Sequence, residues 1–86
     1  MDDCFECRIW FSARVAKYIN ERPWADKQKV TVNDDGSIIL GMQTCGWFDV
    51  KRWILSFGKD ARVIEPEKMK NEINEEAEQI VKSYQK

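Results

Sequence analysis

Cys4, Cys7 and Cys45 are the side chains with the most versatile chemistry in this 86-residue chain. Cys4 and Cys7 form a C-x-x-C pair, a spacing that suits a redox dithiol or half of a zinc site. Around them, however, Phe5, Cys7, Ile9 and Phe11 alternate with Glu6, Arg8 and Trp10, the period of a half-buried strand. Side chains three apart in a strand point to opposite faces, so the two sulfurs do not converge on one metal. A structural zinc site also takes four ligands, and the chain has no histidine to help complete one. The expectation is three reduced cysteines serving as small buried hydrophobes, with no metal and no cofactor. An odd cysteine count, behind a start unlike a secretion signal, fits a reducing cytoplasm better than a disulfide framework.

Catalysis has little else to draw on. Without histidine the commonest general base is missing. The junction Phe11-Ser12-Ala13-Arg14 is not a glycine-rich loop for phosphate, and Glu72, Glu75, Glu76 and Glu78 read as the wet face of a helix. Gly41-Met42-Gln43-Thr44-Cys45 resembles the G-M-x-C-x-x-C loop of copper-carrying domains, but its spacing is off by one and the second cysteine is absent. The chain is therefore expected not to be an enzyme. Its 43 % hydrophobic and 12 % aromatic content suffices for one small folded domain rather than a disordered segment. A net charge of −1 argues against a globally basic nucleic-acid binder, and no run approaches the ~20 apolar residues of a membrane span.

The elements that must position these residues follow from periodicity and punctuation. A first strand over Phe5–Phe11 leads through Ser12, the expected N-cap, into a helix over 13–22 with Val15, Tyr18 and Ile19 on one face; Pro23 ends it. Lys29–Val32 is a strand with Val30 and Val32 inward. Asn33-Asp34-Asp35-Gly36 turns the chain, and Ser37–Thr44 returns with Ile38, Leu40 and Met42 on the core face. Gly46 opens a second helix, Trp47–Phe57, whose Val50, Trp53, Ile54 and Phe57 fall at helical spacing, and Gly58 closes it. Ala61–Ile64 is a fourth strand. Pro66 then starts a third helix, with Met69, Ile73, Ala77, Ile80, Val81 and Tyr84 in one apolar stripe.

This order predicts an α+β fold: a ferredoxin-like βαββαβ sandwich, with a four-stranded antiparallel sheet, two helices on one face and an extra C-terminal amphipathic helix. The whole chain is one domain, with a core over 5–64 and the last helix over 66–85. The uncovered face carries Cys4, Glu6, Arg8, Trp10, Ile39, Gly41 and Gln43, with Arg62 and Ile64 expected beside them. Arg8, Trp10, Gln43 and Arg62 are the candidates there for a ligand or single-stranded nucleic acid, the arginines on phosphates and Trp10 stacking. Residues 1–63 carry ten basic against nine acidic side chains, so that body is not strongly basic. The last helix either lays Met69, Ile73 and Ile80 over Trp10 and Ile39 or docks on a second chain. In the second case Met69, Ile73, Ile80 and Tyr84 are the candidate interface.

Arg52-Trp53-Ile54-Leu55-Ser56-Phe57-Gly58 followed by Ala61-Arg62-Val63-Ile64-Glu65-Pro66 resembles the "rrWllsfG…veVleP" run of the WCX domain. Cys7-Arg8-Ile9-Trp10-Phe11-Ser12 is similar to that family's opening strand, and Asp35-Gly36-Ser37 to its hairpin. The WCX domain is the C-terminal extension of bacterial WYL-domain transcriptional regulators. The resemblance implies helix-turn-helix and WYL domains upstream in a parent protein, a homodimer, and a nucleic-acid or nucleotide effector bound mainly by the WYL domain. It implies a regulatory module rather than an enzyme, in the cytoplasm and without a membrane segment. The resemblance carries over no effector-site motif residue by residue. Fragment and stand-alone remnant both stay open.

Overall fold

β1 (Cys4–Phe11) and β3 (Ile38–Cys45) run antiparallel in unbroken register from Cys4↔Cys45 to Phe11↔Ile38. Their inward residues, Cys7, Ile9, Phe11, Ile38, Leu40 and Met42, are all buried. In this computed structural model, residues 3–25 and 27–85 are described. β2 (Gln28–Val32) flanks β3 and β4 (Ala61–Glu65) flanks β1, giving the strand order β2-β3-β1-β4, antiparallel throughout. That order, with α1 (Ala13–Asn20) and α2 (Trp47–Leu55) in the two crossovers, is the expected ferredoxin-like sandwich.

The core lies between the sheet and the helices. Ala16 and Ile19 of α1 and Val50 and Ile54 of α2 cover the inward strand residues. Aromatic rings extend this layer: Phe11 meets Trp53 and Phe57 edge-on, with centroids 5.7 and 5.2 Å away, and Trp24 packs on Trp53 at 4.9 Å. Trp24 also donates its indole N–H to the carbonyl of Ile19 at 2.8 Å, fastening the loop after α1 to that helix.

Two turns need a left-handed backbone and have glycine there. Gly36, at φ 89°, closes the β2–β3 hairpin, where the N–H of Gly36 bonds to the carbonyl of Asn33 and that of Ser37 to the Asp35 carboxylate. Gly58, at φ 58°, begins the short 3₁₀ turn (Gly58–Asp60) that leads into β4.

Several local expectations are corrected. Cys4 and Cys45 are not free thiols: the β1–β3 register sets them opposite each other, and they are joined by a disulfide. Only Cys7 is a buried free cysteine. Ser12 does sit at the N-cap of α1, but its hydroxyl does not cap the helix; it donates to Asp60 Oδ1 at 2.7 Å, a tertiary bond to the 3₁₀ turn. Val32 is 66 % exposed, because it lies at the hairpin end of an edge strand. Between Arg8 and Ile9 the pairing with β4 slips by one residue, so Glu65 rather than Ile64 stands opposite Arg8 on the outer face.

α3 (Glu67–Tyr84) does not lie over Trp10 and Ile39. It packs against β4 and α2 on the helical side, where Met69 is fully buried in the common core. Trp47 Nε1 donates to Glu72 Oε1 at 2.9 Å, and Lys51 Nζ reaches the same oxygen at 3.2 Å. An amphipathic stripe states which side of a helix is apolar but not which apolar surface receives it.

Candidate functional site

Two surfaces bring the candidate residues together. On the uncovered sheet face the side chains follow from register. Arg8 of β1 lies opposite Gly41 of β3, and Lys29 of β2 lies opposite Gly41 from the other side. One row across three strands is thus Lys29, Gly41, Arg8. The next is Thr31, Ile39, Trp10, continued by Arg62 on β4.

Arg62 places its guanidinium 4.4 Å from the centre of the Trp10 ring, a cation–π contact over a half-buried indole. Arg8 pairs with Glu65 at 3.7 Å, with both side chains about half exposed, so solvent screens the pair and leaves it weak. Gln43 is exposed opposite Glu6. Beside these residues a shallow hollow of about 290 Å³ is lined by Glu6, Arg8, Lys29, Gly41, Gln43 and Glu65. Arg8, Trp10, Gln43 and Arg62 therefore share one face. Lys29 belongs with them and was legible only through strand pairing, since its own short strand says nothing about its neighbours.

The second surface belongs to α3. Of the four candidate interface residues, Met69 is fully buried and serves this chain's own core, so it is not available to a partner. Ile73 is partly buried against that core. Beyond it the helix stands away from the body: Ile80 is 49 %, Val81 55 % and Tyr84 86 % exposed. Between this half of α3 and the α2–β4 flank runs a groove of about 720 Å³, with Ile54, Leu55, Ala61 and Val63 on one side and Ile73, Ala77, Ile80 and Val81 on the other. Lys59, Arg62 and Lys70 also line it.

The titratable groups that are shifted hold structure together. Glu72 is held below the usual carboxylate range, first by the Trp47 indole N–H and next by Lys51. Asp3 is lowered by the backbone N–H groups of Trp47 and Gly46, which it accepts at 2.9 and 3.0 Å at the start of α2. Neither lies in the hollow or the groove. Burial pushes the Cys7 thiol up to about 11, which keeps it protonated and inert. Among the described residues no group of three or more His, Cys, Asp or Glu is placed to hold a metal ion. No helix among them is long and apolar enough to cross a membrane.

A four-stranded antiparallel ferredoxin-like sheet with a long C-terminal helix is the class of domain these observations define. Its sequence matches the family described as WCX domain over residues 5–81, and the chain belongs to that family. No curated protein matches it.

Proposed function

We propose that this WCX domain is a non-catalytic regulatory and oligomerisation module of a bacterial WYL-type transcriptional regulator, contributing to dimerisation and to effector response in the cytoplasm. Family membership supports its place in a larger regulatory protein, downstream of WYL and helix-turn-helix domains. The observation that carries the assembly part is the distal half of α3. Ile80, Val81 and Tyr84 extend a stripe whose first residue is already buried, and among the described residues they stay about half exposed or more. Contiguous apolar surface of this kind on a small domain marks an interaction site, and a second copy supplies the complement in a homodimer. Concentration-dependent sedimentation of the chain, with and without a charge at Ile80, tests the reading.

A second reading is favoured by one specific observation: Arg8, Trp10, Gln43, Lys29 and Arg62 share an uncovered sheet face. In this reading the face contacts a single-stranded nucleic acid or nucleotide effector, with cations on phosphates and the Trp10–Arg62 stack opening to a base.

A further inference from the structure

We propose that Cys4 and Cys45 form a reversible dithiol–disulfide site that exchanges with low-molecular-weight thiols, and that its redox state is transmitted to α3. This inference is independent of the assembly and effector readings above. The two cysteines sit opposite each other at the open end of β1 and β3 and are bonded. Both are exposed, which gives an attacking thiolate access to the sulfurs; exposed disulfides are the labile ones, whereas buried structural ones resist reduction. An open cleft of about 410 Å³ adjoins the bond, lined by Cys4, Cys45, Trp24, Lys27, Gln43 and Thr44. It has the dimensions of a small-ligand site, and Lys27 on its wall supplies a cation that attracts a carboxylate-bearing thiol such as glutathione. Cys7 takes no part, because it is 1 % exposed and its thiol stays protonated.

Formation of the bond balances with a low-molecular-weight disulfide as oxidant. One protein thiolate attacks a sulfur of the small disulfide, whose S–S bond breaks; a small thiolate leaves with the electron pair and takes a proton from water. The second protein thiolate then attacks the protein sulfur of the mixed disulfide and expels a second small thiol. Two protein thiols are oxidised and one small disulfide is reduced to two thiols; excess small thiol drives the reverse.

Transmission follows a continuous set of contacts. Cys4 adjoins Asp3 and Cys45 adjoins Gly46 in the chain, and the Asp3 carboxylate accepts the N–H groups of Gly46 and Trp47. Trp47 in turn holds Glu72 of α3. The covalent bond keeps these two chain segments, 41 residues apart, in the register the Asp3 contact requires. Once it opens, that contact hangs on hydrogen bonds at a strand terminus, where fraying is easiest.

The test equilibrates the chain in mixtures of glutathione and glutathione disulfide, counts alkylated cysteines by mass spectrometry and follows amide hydrogen exchange in each state. Cys4 and Cys45 are expected to titrate together as a two-electron pair, while Cys7 remains a thiol that alkylates only on unfolding. Reduction is expected to speed exchange several-fold at Trp47 and around Glu72, leaving Leu40 unchanged, and Cys45→Ser is expected to reproduce the reduced pattern. Cys4 and Cys45 remaining thiols, or forming only mixed disulfides, in glutathione disulfide overturns the site. Identical exchange around Glu72 in both redox states overturns the transmission.

Discussion

The indole N–H of Trp47 donates to Glu72 Oε1 at 2.9 Å, and this bond ties the first turn of α2 to the second turn of α3. Lys51 adds a second donor to the same oxygen. Together with Met69 in the core and Ile73 packed against it, these bonds fix the proximal half of α3 on the body.

The fastening is sensitive to acid. Glu72 has a folded-state pKa lowered by Trp47 and then Lys51, so its contribution is present above the unfolded value and is lost as pH falls through the lowered one. Asp3 and Asp35 are shifted the same way by N–H and hydroxyl donors. Denaturant midpoints are therefore expected to hold steady around neutral pH and to fall below about pH 4. Glu72→Gln is expected to flatten part of that fall; a variant with an unchanged acid profile would show that the carboxylate does not fasten α3.

Burial along α3 separates structural residues from surface ones. Met69→Ala is expected to cost about 2–5 kcal/mol, the range for emptying a fully buried site, whereas Ile80→Ala, on the half-exposed part, is expected to stay within about 0.5 kcal/mol in the monomer. Urea titration at low protein concentration measures both. Equal losses would mean that the distal half of α3 packs on its own chain.

Glycine positions divide in the same manner. Gly58→Ala meets no atom within 4 Å, so its cost is the left-handed backbone alone, about 1–2 kcal/mol. Gly36→Ala adds a 3.3 Å approach to the Ala13 Cβ and is expected to cost more. Thermal melts of the two variants check the order.

For the sheet face, the second reading expects Arg8→Ala and Trp10→Ala each to weaken binding of a short single-stranded oligonucleotide about tenfold, a single stacking or charged contact being worth ~1–3 kcal/mol. NMR titration at two salt concentrations checks it. Shifts that avoid Trp10 and ignore salt count against this reading.

Local pattern made every strand and helix legible. The alternation from Phe5 to Phe11 places Cys7 and Ile9 inward, and the spacing of Val50 and Ile54 places α2, because burial on one side repeats with the period of the element. What eluded the sequence is long-range. Asp60 outcompetes the helix for the Ser12 hydroxyl from 48 residues away, and Cys45 becomes the partner of Cys4 only through the β1–β3 register. The placement of α3 was equally hidden, since Glu72 meets Trp47 and Lys51 from 25 and 21 residues away. On the functional surfaces the sheet-face residues follow from alternation, whereas Met69 moved from candidate interface to core.

In the proposed assembly, the distal half of α3 is the surface that meets the second copy. Sedimentation equilibrium of the chain from low to high micromolar concentration tests it most directly, alongside Ile80→Glu, a substitution at an exposed site. A reversible dimer is expected for the native sequence and a folded monomer for the variant. A strict monomer at every concentration, or a dimer indifferent to the glutamate, would contradict it.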